Sequence, residues 1–140
     1  MSFFSSIKFF QMIKSTVLTW HQLLKSGNSA GLDSLLAENA VFHSPILHKP
    51  QVGKALTTMY LSAAFMVFYN DTFTYIREVM AGNDAVLEFQ VEIDGIIVNG
   101  VDMIKCDDAG KITDFKVMIR PLKAVHLIQQ KMLEMLERMK

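Results

Sequence analysis

One carboxylate in this chain stands where strand alternation calls for apolar side chains. From Ile96 to Cys106 the residues divide into two sets. Ile96, Val98, Gly100, Asp102, Ile104 and Cys106 share one side; Asn99, Met103 and Lys105, with Val101, share the other. Asp102 therefore falls on the apolar face of a strand that reads as central. An unpartnered buried charge is expensive. Such a group needs a partner, a retained proton, or a cavity to face. Desolvation raises a carboxyl pKa, and a carboxyl so perturbed in a concave site is a candidate acid/base or proton donor. Two structural alternatives stand beside this reading. A bulge at Gly100 would turn Asp102 to solvent. A buried Asp bonded to a tryptophan or a backbone N–H would serve the fold alone. Arg77 and Arg120 are possible partners across the sheet, and an arginine would lower the pKa.

The other polar residues form no comparable site. His43 and His48 flank Pro45; His43 should point outward, while His48 lies in a loop that could lean over a cavity mouth. A metal needs about three or four clustered ligands, and these two histidines lack companions in the sequence. No metal or other cofactor is expected. His21 and His126 lie in helical segments and read as surface or interface residues. Ser44 has no nucleophile-elbow context. The chain has no glycine-rich phosphate loop and no dinucleotide fingerprint.

These residues must be held by elements the sequence also marks. Ile7, Phe10, Ile13, Val17, Trp20 and Leu24 recur every three or four residues, the mark of an amphipathic helix that Gly27 and Asn28 end. A short helix is expected from about 31 to 38, then a strand over 40–44 stopped by Pro45, and a loop over 46–51. A third helix is expected over about 52–69, with Leu56, Tyr60, Ala63, Ala64 and Val67 on one side. The period then changes to two. Strands are expected over 72–80, 85–93, 96–106 and 111–119, joined by turns at Gly82-Asn83-Asp84, Asp94-Gly95 and Asp107-Asp108-Ala109-Gly110. Such consecutive hairpins make an antiparallel meander. After Pro121 a last helix repeats Val125, Ile128, Met132, Met135 and Met139 to the end of the chain. Its methionine stripe is soft and adaptable. The simplest reading docks it on its own domain, and a contact with a second copy is the alternative.

Composition limits the function classes. At 140 residues, with 51% apolar and 20% charged residues, the chain suits one domain with one core. A net charge of zero argues against nucleic acid as a partner, which would need surplus Lys and Arg. It also leaves association with another copy unopposed. Lys8 and Lys14 interrupt the apolar N-terminus, and no stretch reaches the roughly 18 apolar residues of a membrane span. Cys106 is the sole cysteine, which fits a cytoplasmic protein.

The run Trp20-His21-Gln22-Leu23-Leu24-Lys25-Ser26-Gly27-Asn28 is followed by Leu32, Leu35, Leu36 and Ala37. Asn39-Ala40-Val41-Phe42-His43-Ser44-Pro45 and Gly53 come next, then Gly100-Val101-Asp102 and Gly110-Lys111-Ile112. In this order and spacing, the residues from about 14 to 120 resemble the nuclear-transport-factor-2-like superfamily, and within it the SnoaL-like group related to ketosteroid isomerase. The resemblance implies an α+β fold, a cone-shaped curved antiparallel sheet packed against N-terminal helices and enclosing a pocket. Residues 121–139 add an extra C-terminal helix to a single domain spanning 1–140. It also implies frequent homodimers and an apolar small molecule as ligand.

The fold does not fix the function. By the resemblance, Ser44 replaces the base of the isomerases, Trp20 stands at the place of their tyrosine and offers an N–H donor, and Asp102 is retained as their protonated aspartate. A carboxylic acid kept neutral by an apolar site is a known device in that isomerase. The resemblance puts Phe42, Tyr60, Phe89, Val91, Phe115 and Val117 in the pocket lining, with His48 at the mouth. With one of three groups retained, the usual steroid isomerisation is disfavoured. The expectation is a small-molecule-binding domain, with Asp102 alone as acid/base of an isomerase, cyclase or lyase type. The alternative is a non-catalytic module for hydrophobic-ligand binding or dimerisation.

Overall fold

The computed structural model describes residues 3–140, with side chains from residue 12 onward. A long helix, α1 (Phe3–Ser26), leads through a 3₁₀ turn (Ser29–Gly31) and a single helical turn, α2 (Leu32–Leu35), into strand β1 (Leu36–His43). A two-residue strand, β2 (Gln51–Val52), precedes helix α3 (Lys54–Phe68). Four long strands follow, β3 (Thr74–Ala81), β4 (Asp84–Ile93), β5 (Ile96–Cys106) and β6 (Ile112–Arg120). Helix α4 (Leu122–Arg138) ends the chain. Among the described residues, no helix is long and apolar enough to cross a membrane.

The expected meander is present as β3-β4-β5-β6, each strand antiparallel to the next. The turn at Asp94-Gly95 has positive φ at both residues (50° and 78°), the geometry that matches hairpin twist. The sheet is mixed, however, in the order β2-β1-β6-β5-β4-β3, because β1 lies parallel to β6. Alternation within a strand fixes its faces but not the direction of a distant partner. β1 also starts earlier than the expected 40–44, and the short helix stops at Leu35, not near residue 38. Leu35, Leu36 and Ala37 are all buried, so the chain passes from helix to strand inside the core. The expected loop over 46–51 ends in β2, which pairs with Val41 and Phe42 along one sheet edge.

The core lies between the sheet's inner face and the helices. Ile13, Val17, Trp20 and Leu24 of α1 are buried as their spacing requires; the positions expected at Ile7 and Phe10 lie outside the described side chains. Thr16 ties α1 to the β5–β6 turn, its hydroxyl donating to the Gly110 carbonyl at 2.7 Å. From the sheet come Leu87, Phe89 and Val91 of β4, Val98 and Ile104 of β5, and Phe115 and Val117 of β6. Fully burying side chains such as Leu87, Phe89 and Phe115 stabilises the fold by roughly 1.5–3 kcal/mol each. Helix α3 turns its expected face inward only in part: Ala63 is buried and Tyr60 and Val67 pack on the core, but the inward face is rotated away from Leu56. Thr57, Leu61, Ala63 and Phe65 are buried, while Leu56 is 40% exposed. The helix is apolar nearly all round, so its period is ambiguous. Thr57 is drawn in by a hydrogen bond from its hydroxyl to the Ala40 carbonyl at 3.2 Å. Helix α4 packs on α3, β5 and β6, with Ala124 and Ile128 fully buried.

No bulge forms at Gly100. It pairs in regular register with Phe89 on one side and Ile119 on the other. A Cβ at this position would lie 2.5 Å from the Met118 carbonyl oxygen and 2.7 Å from the Phe89 ring. Gly100→Ala is therefore expected to lower stability by about 1–3 kcal/mol through overpacking. Urea unfolding measures it, and a midpoint equal to the native chain's would contradict this packing.

Candidate functional site

Regular pairing through Gly100 keeps Asp102 on the inner face, opposite Leu87 of β4 and Val117 of β6. Its residue exposure is 6%, and it lines a cavity between the sheet, α1 and α3. Around it stand Trp20 and Leu24 from α1, Leu61, Phe65 and Phe68 from α3, and Phe89, Phe115 and Val117 from the sheet. Tyr69 and Phe73, between α3 and β3, close the outer side. The rings brace one another: Trp20 lies 4.9 Å from Phe115 and 5.2 Å from Phe65, and Phe73 stacks on Phe89 at 5.4 Å, centroid to centroid. The cavity measures about 40 Å³, room for a water or two, since one water needs at least ~10–15 Å³.

The carboxyl is held from one side. Tyr75 of β3 donates its hydroxyl proton to Asp102 Oδ2 at 2.6 Å, and the Trp20 indole N–H donates to Tyr75 Oη at 2.8 Å. Among the described residues, Asp102 Oδ1 has no hydrogen-bond partner, and no sealed side-chain polar atom lacks one. Oδ1 is thus the oxygen through which Asp102 meets the cavity. Burial raises the Asp102 pKa, the Tyr75 hydrogen bond offsets part of the rise, and together they leave it at about 7. Burial, and then the Asp102 charge, hold the Tyr75 hydroxyl well above its ordinary pKa. Tyr75 is therefore a proton donor across the physiological range.

The structure brings together Trp20, Asp102, Phe89, Phe115 and Val117 from the residues singled out by sequence. It separates the others. Phe42 is fully buried behind Phe115 and stacks on Tyr60, while Val91 lies in the core further along β4, so none of the three lines this cavity. The Ser44 hydroxyl accepts from the N–H groups of Ile46 (3.0 Å) and Leu47 (3.3 Å), closing its own loop. His48 is exposed and stands away from the cavity wall. His43 pairs with Asp114 at 2.8 Å, and Arg77 pairs with Glu88 at 3.1 Å. Arg120 lies along the outer face with Met118, so neither arginine reaches Asp102. Among the described residues, no three His, Cys, Asp or Glu side chains are grouped to hold a metal.

Tyr75 escapes a reading by pattern. It lies on the edge strand, where the pairing shifts between Tyr75 and Arg77 and breaks the alternation. The signal that remains is Phe73 and Tyr75 at a spacing of two, both turned toward the inner face.

A family model described as a SnoaL-like domain matches residues 17–115. The chain is similar to a steroid delta-isomerase from Pseudomonas aeruginosa, with 36% identity, 91% of this chain and 93% of that chain covered, and a TM-score of 0.86. It is also similar to an uncharacterised protein with a cystatin-like fold from Silicibacter pomeroyi, at 30% identity, 85% and 83% coverage and a TM-score of 0.78. A nuclear-transport-factor-2-like protein of unknown function from Mesorhizobium loti shares the fold, at 18% identity, 80% and 93% coverage and a TM-score of 0.70. No curated protein matches the chain.

The raised carboxyl pKa ties stability to pH. Unfolded, Asp102 titrates near 3.8; folded, near 7. Below about pH 4 both states hold the proton. As pH rises toward 7 the unfolded chain releases it first, so the native state loses stability, and above 7 the loss levels off. The loss from this group is on the order of 4 kcal/mol. Asp102→Asn is expected to match the native chain near pH 4 and exceed it at pH 8 in urea midpoint. Parallel pH profiles of the two proteins would refute the assignment.

Proposed function

The chain belongs to the SnoaL-like family, and on that premise we propose that it binds a small apolar molecule and moves a proton on it through Asp102. One observation carries this reading: Oδ1, on a carboxyl with a pKa of about 7, is the ionisable oxygen presented to a cavity walled by rings and aliphatic groups. An acid/base group works best when its pKa lies near the operating pH. Asp102 there exists in both protonation states and can give or take.

A reaction class in which one carboxyl can serve as both base and acid is a 1,3-proton shift beside a carbonyl. Oδ1 as carboxylate takes a proton from the carbon next to the carbonyl. The C–H electrons form a new double bond, and the carbonyl electrons move onto oxygen as a dienolate. The substrate is a β,γ-unsaturated ketone: the electrons of its β,γ double bond take the same proton back from Oδ1–H at the γ-carbon. The enolate electrons return to re-form the carbonyl, the double bond is left between the α- and β-carbons, and the carboxylate is restored. Ser44 is engaged in its own turn, so base and acid duties fall on one carboxyl. Similarity to a steroid delta-isomerase supports a cyclic unsaturated ketone as the first substrate class to try. A ligand of that size needs movement of the ring side chains that reduce the cavity to about 40 Å³. That tight packing favours a second reading, non-catalytic capture of a hydrophobic ligand.

The test uses β,γ-unsaturated cyclic ketones from one ring to a steroid, with the gain in ultraviolet absorbance on conjugation as readout. Asp102→Asn is expected to lower kcat/KM by about 10²–10⁴-fold. Trp20, the one tryptophan, borders the cavity, and its fluorescence reports occupancy independently. Saturable quenching without conjugation of any ketone would support the binding module and reject the isomerase.

A second copy of the chain is the proposed macromolecular partner, and the cytoplasm the proposed location. The polar outer face suggested by Glu88, Gln90, Glu92, Asn99 and Lys105 also carries Val79, Met103 and Met118, which are 57%, 36% and 49% exposed. A mixed face of this kind suits a partly wet interface. Sedimentation equilibrium is expected to show a dimer, and Val79→Lys with Met118→Lys a folded monomer. A native chain that sediments as a monomer at micromolar concentration would exclude the pairing.

A further inference from the structure

We propose that Tyr75 is a positioning residue: held by Trp20, it keeps the exchangeable proton of Asp102 on Oδ1, the oxygen in the cavity. The proposal rests on the reading of Asp102 as the proton-exchanging group and assigns a residue that reading does not need.

The argument is one of donor inventory. An indole N–H can only donate. The 2.8 Å contact between Trp20 Nε1 and Tyr75 Oη therefore has one direction, with Tyr75 accepting. The phenol has a single proton, and its other polar contact is Asp102 Oδ2 at 2.6 Å. That proton must point at Oδ2, which becomes the acceptor. A carboxyl whose Oδ2 is committed as acceptor carries its own proton on the other oxygen. Oδ1 is thus a donor when Asp102 is neutral and a charged acceptor when it is ionised. Without Tyr75 either oxygen could take the proton, and the group would lose its orientation.

The surroundings leave few other causes for a change in Asp102. It faces Leu87 from β4, Val117 from β6 and Phe65 from α3, all apolar. Among the described residues, Tyr69 on the outer wall is the titratable group that borders the cavity besides Asp102 and Tyr75. His21 of α1 lies behind Tyr75, ring to ring at 5.0 Å, and holds Glu78 at 2.5 Å. An oriented oxygen also selects ligands. Below the titration midpoint it suits a ketone or ether, which can only accept. Above it, a hydroxyl that can donate is preferred.

The experiment titrates the Asp102 carboxyl carbon by ¹³C NMR in the ligand-free chain, its resonance assigned by loss in Asp102→Asn. A hydrogen bond to a charged group is worth enough that removing it should raise the midpoint by about one to two pH units in Tyr75→Phe. Trp20→Phe should raise it by less, because the relay loses one polarising donor. An unmoved or lowered midpoint in a folded Tyr75→Phe overturns the proposal. Should Tyr75→Phe not fold, Trp20→Phe decides: a rise supports the relay and an unmoved midpoint overturns it. Turnover plays no part in this readout. A chain that isomerises no ketone would remove the proton-transfer reading and leave the proton's placement standing.

Discussion

Removing one carboxyl from water is the constraint around which the centre of this molecule is arranged. Asp102 lies on an inner strand, with β4 and β6 on either side and helices over it. A charge there is unfavourable, and among the described residues no opposite charge offsets it: the pKa is set by burial against a single neutral hydrogen bond. The group answers by keeping its proton to about neutrality. Replacing it with an apolar residue of similar size would remove that cost but leave Tyr75 with a donor and nothing to give it to. The relay and the carboxyl are therefore one unit, stable together and costly in part.

Three elements that are far apart in sequence must agree for that unit to exist. Trp20 is set by the period of α1 and by its rings' contacts with Phe65 and Phe115. Asp102 is set by the register of β5, which Gly100 keeps regular by leaving room for the Met118 carbonyl and the Phe89 ring. Tyr75 depends on an edge strand, where one flank is open and the pairing shifts by a residue. Hydrogen bonds of 2.8 and 2.6 Å from an α1 residue to β3 and from β3 to β5 fasten that edge to the core. The residue that donates to the carboxyl thus sits on a sheet edge, where only one flank of the strand is paired.

That difference explains what could be read from sequence. Asp102 was legible because the other residues on its own face of the strand, Ile96, Val98, Ile104 and Cys106, are apolar, and the meander because each turn carries its own signal. The α1 face followed from its own periodicity, and the curvature of the sheet from the family resemblance. Tyr75 was not legible, since an edge strand with an irregular register has no clean period, and its partner lies 27 residues away in sequence. The inward face of α3 was legible only in part, because apolar residues surround that helix: Ala63, Tyr60 and Val67 turn inward, whereas Leu56 is exposed and the Thr57 hydrogen bond sets the rotation. The parallel pairing of β1 with β6 depends on a contact between the two ends of the fold, which no local pattern encodes.

The small cavity follows from the same aromatic shell that raises the pKa. Desolvation needs side chains close around Asp102, and rings such as Phe65, Phe89 and Phe115 provide that at little conformational cost. The wall is not uniform, however. Phe89 and Phe115 are fully buried, whereas Phe68, Phe73 and Tyr69 retain exposure on the outer side. Rearrangement is cheapest where fewest contacts are lost, so a ligand would enter past Phe73 and Tyr69 and displace those rings. The inner wall with Asp102 and Trp20 would stay in place. An apolar ligand that took the place of the displaced rings would keep the carboxyl dry. Its pKa would remain near neutrality in the occupied state, which is the state in which proton transfer has to occur.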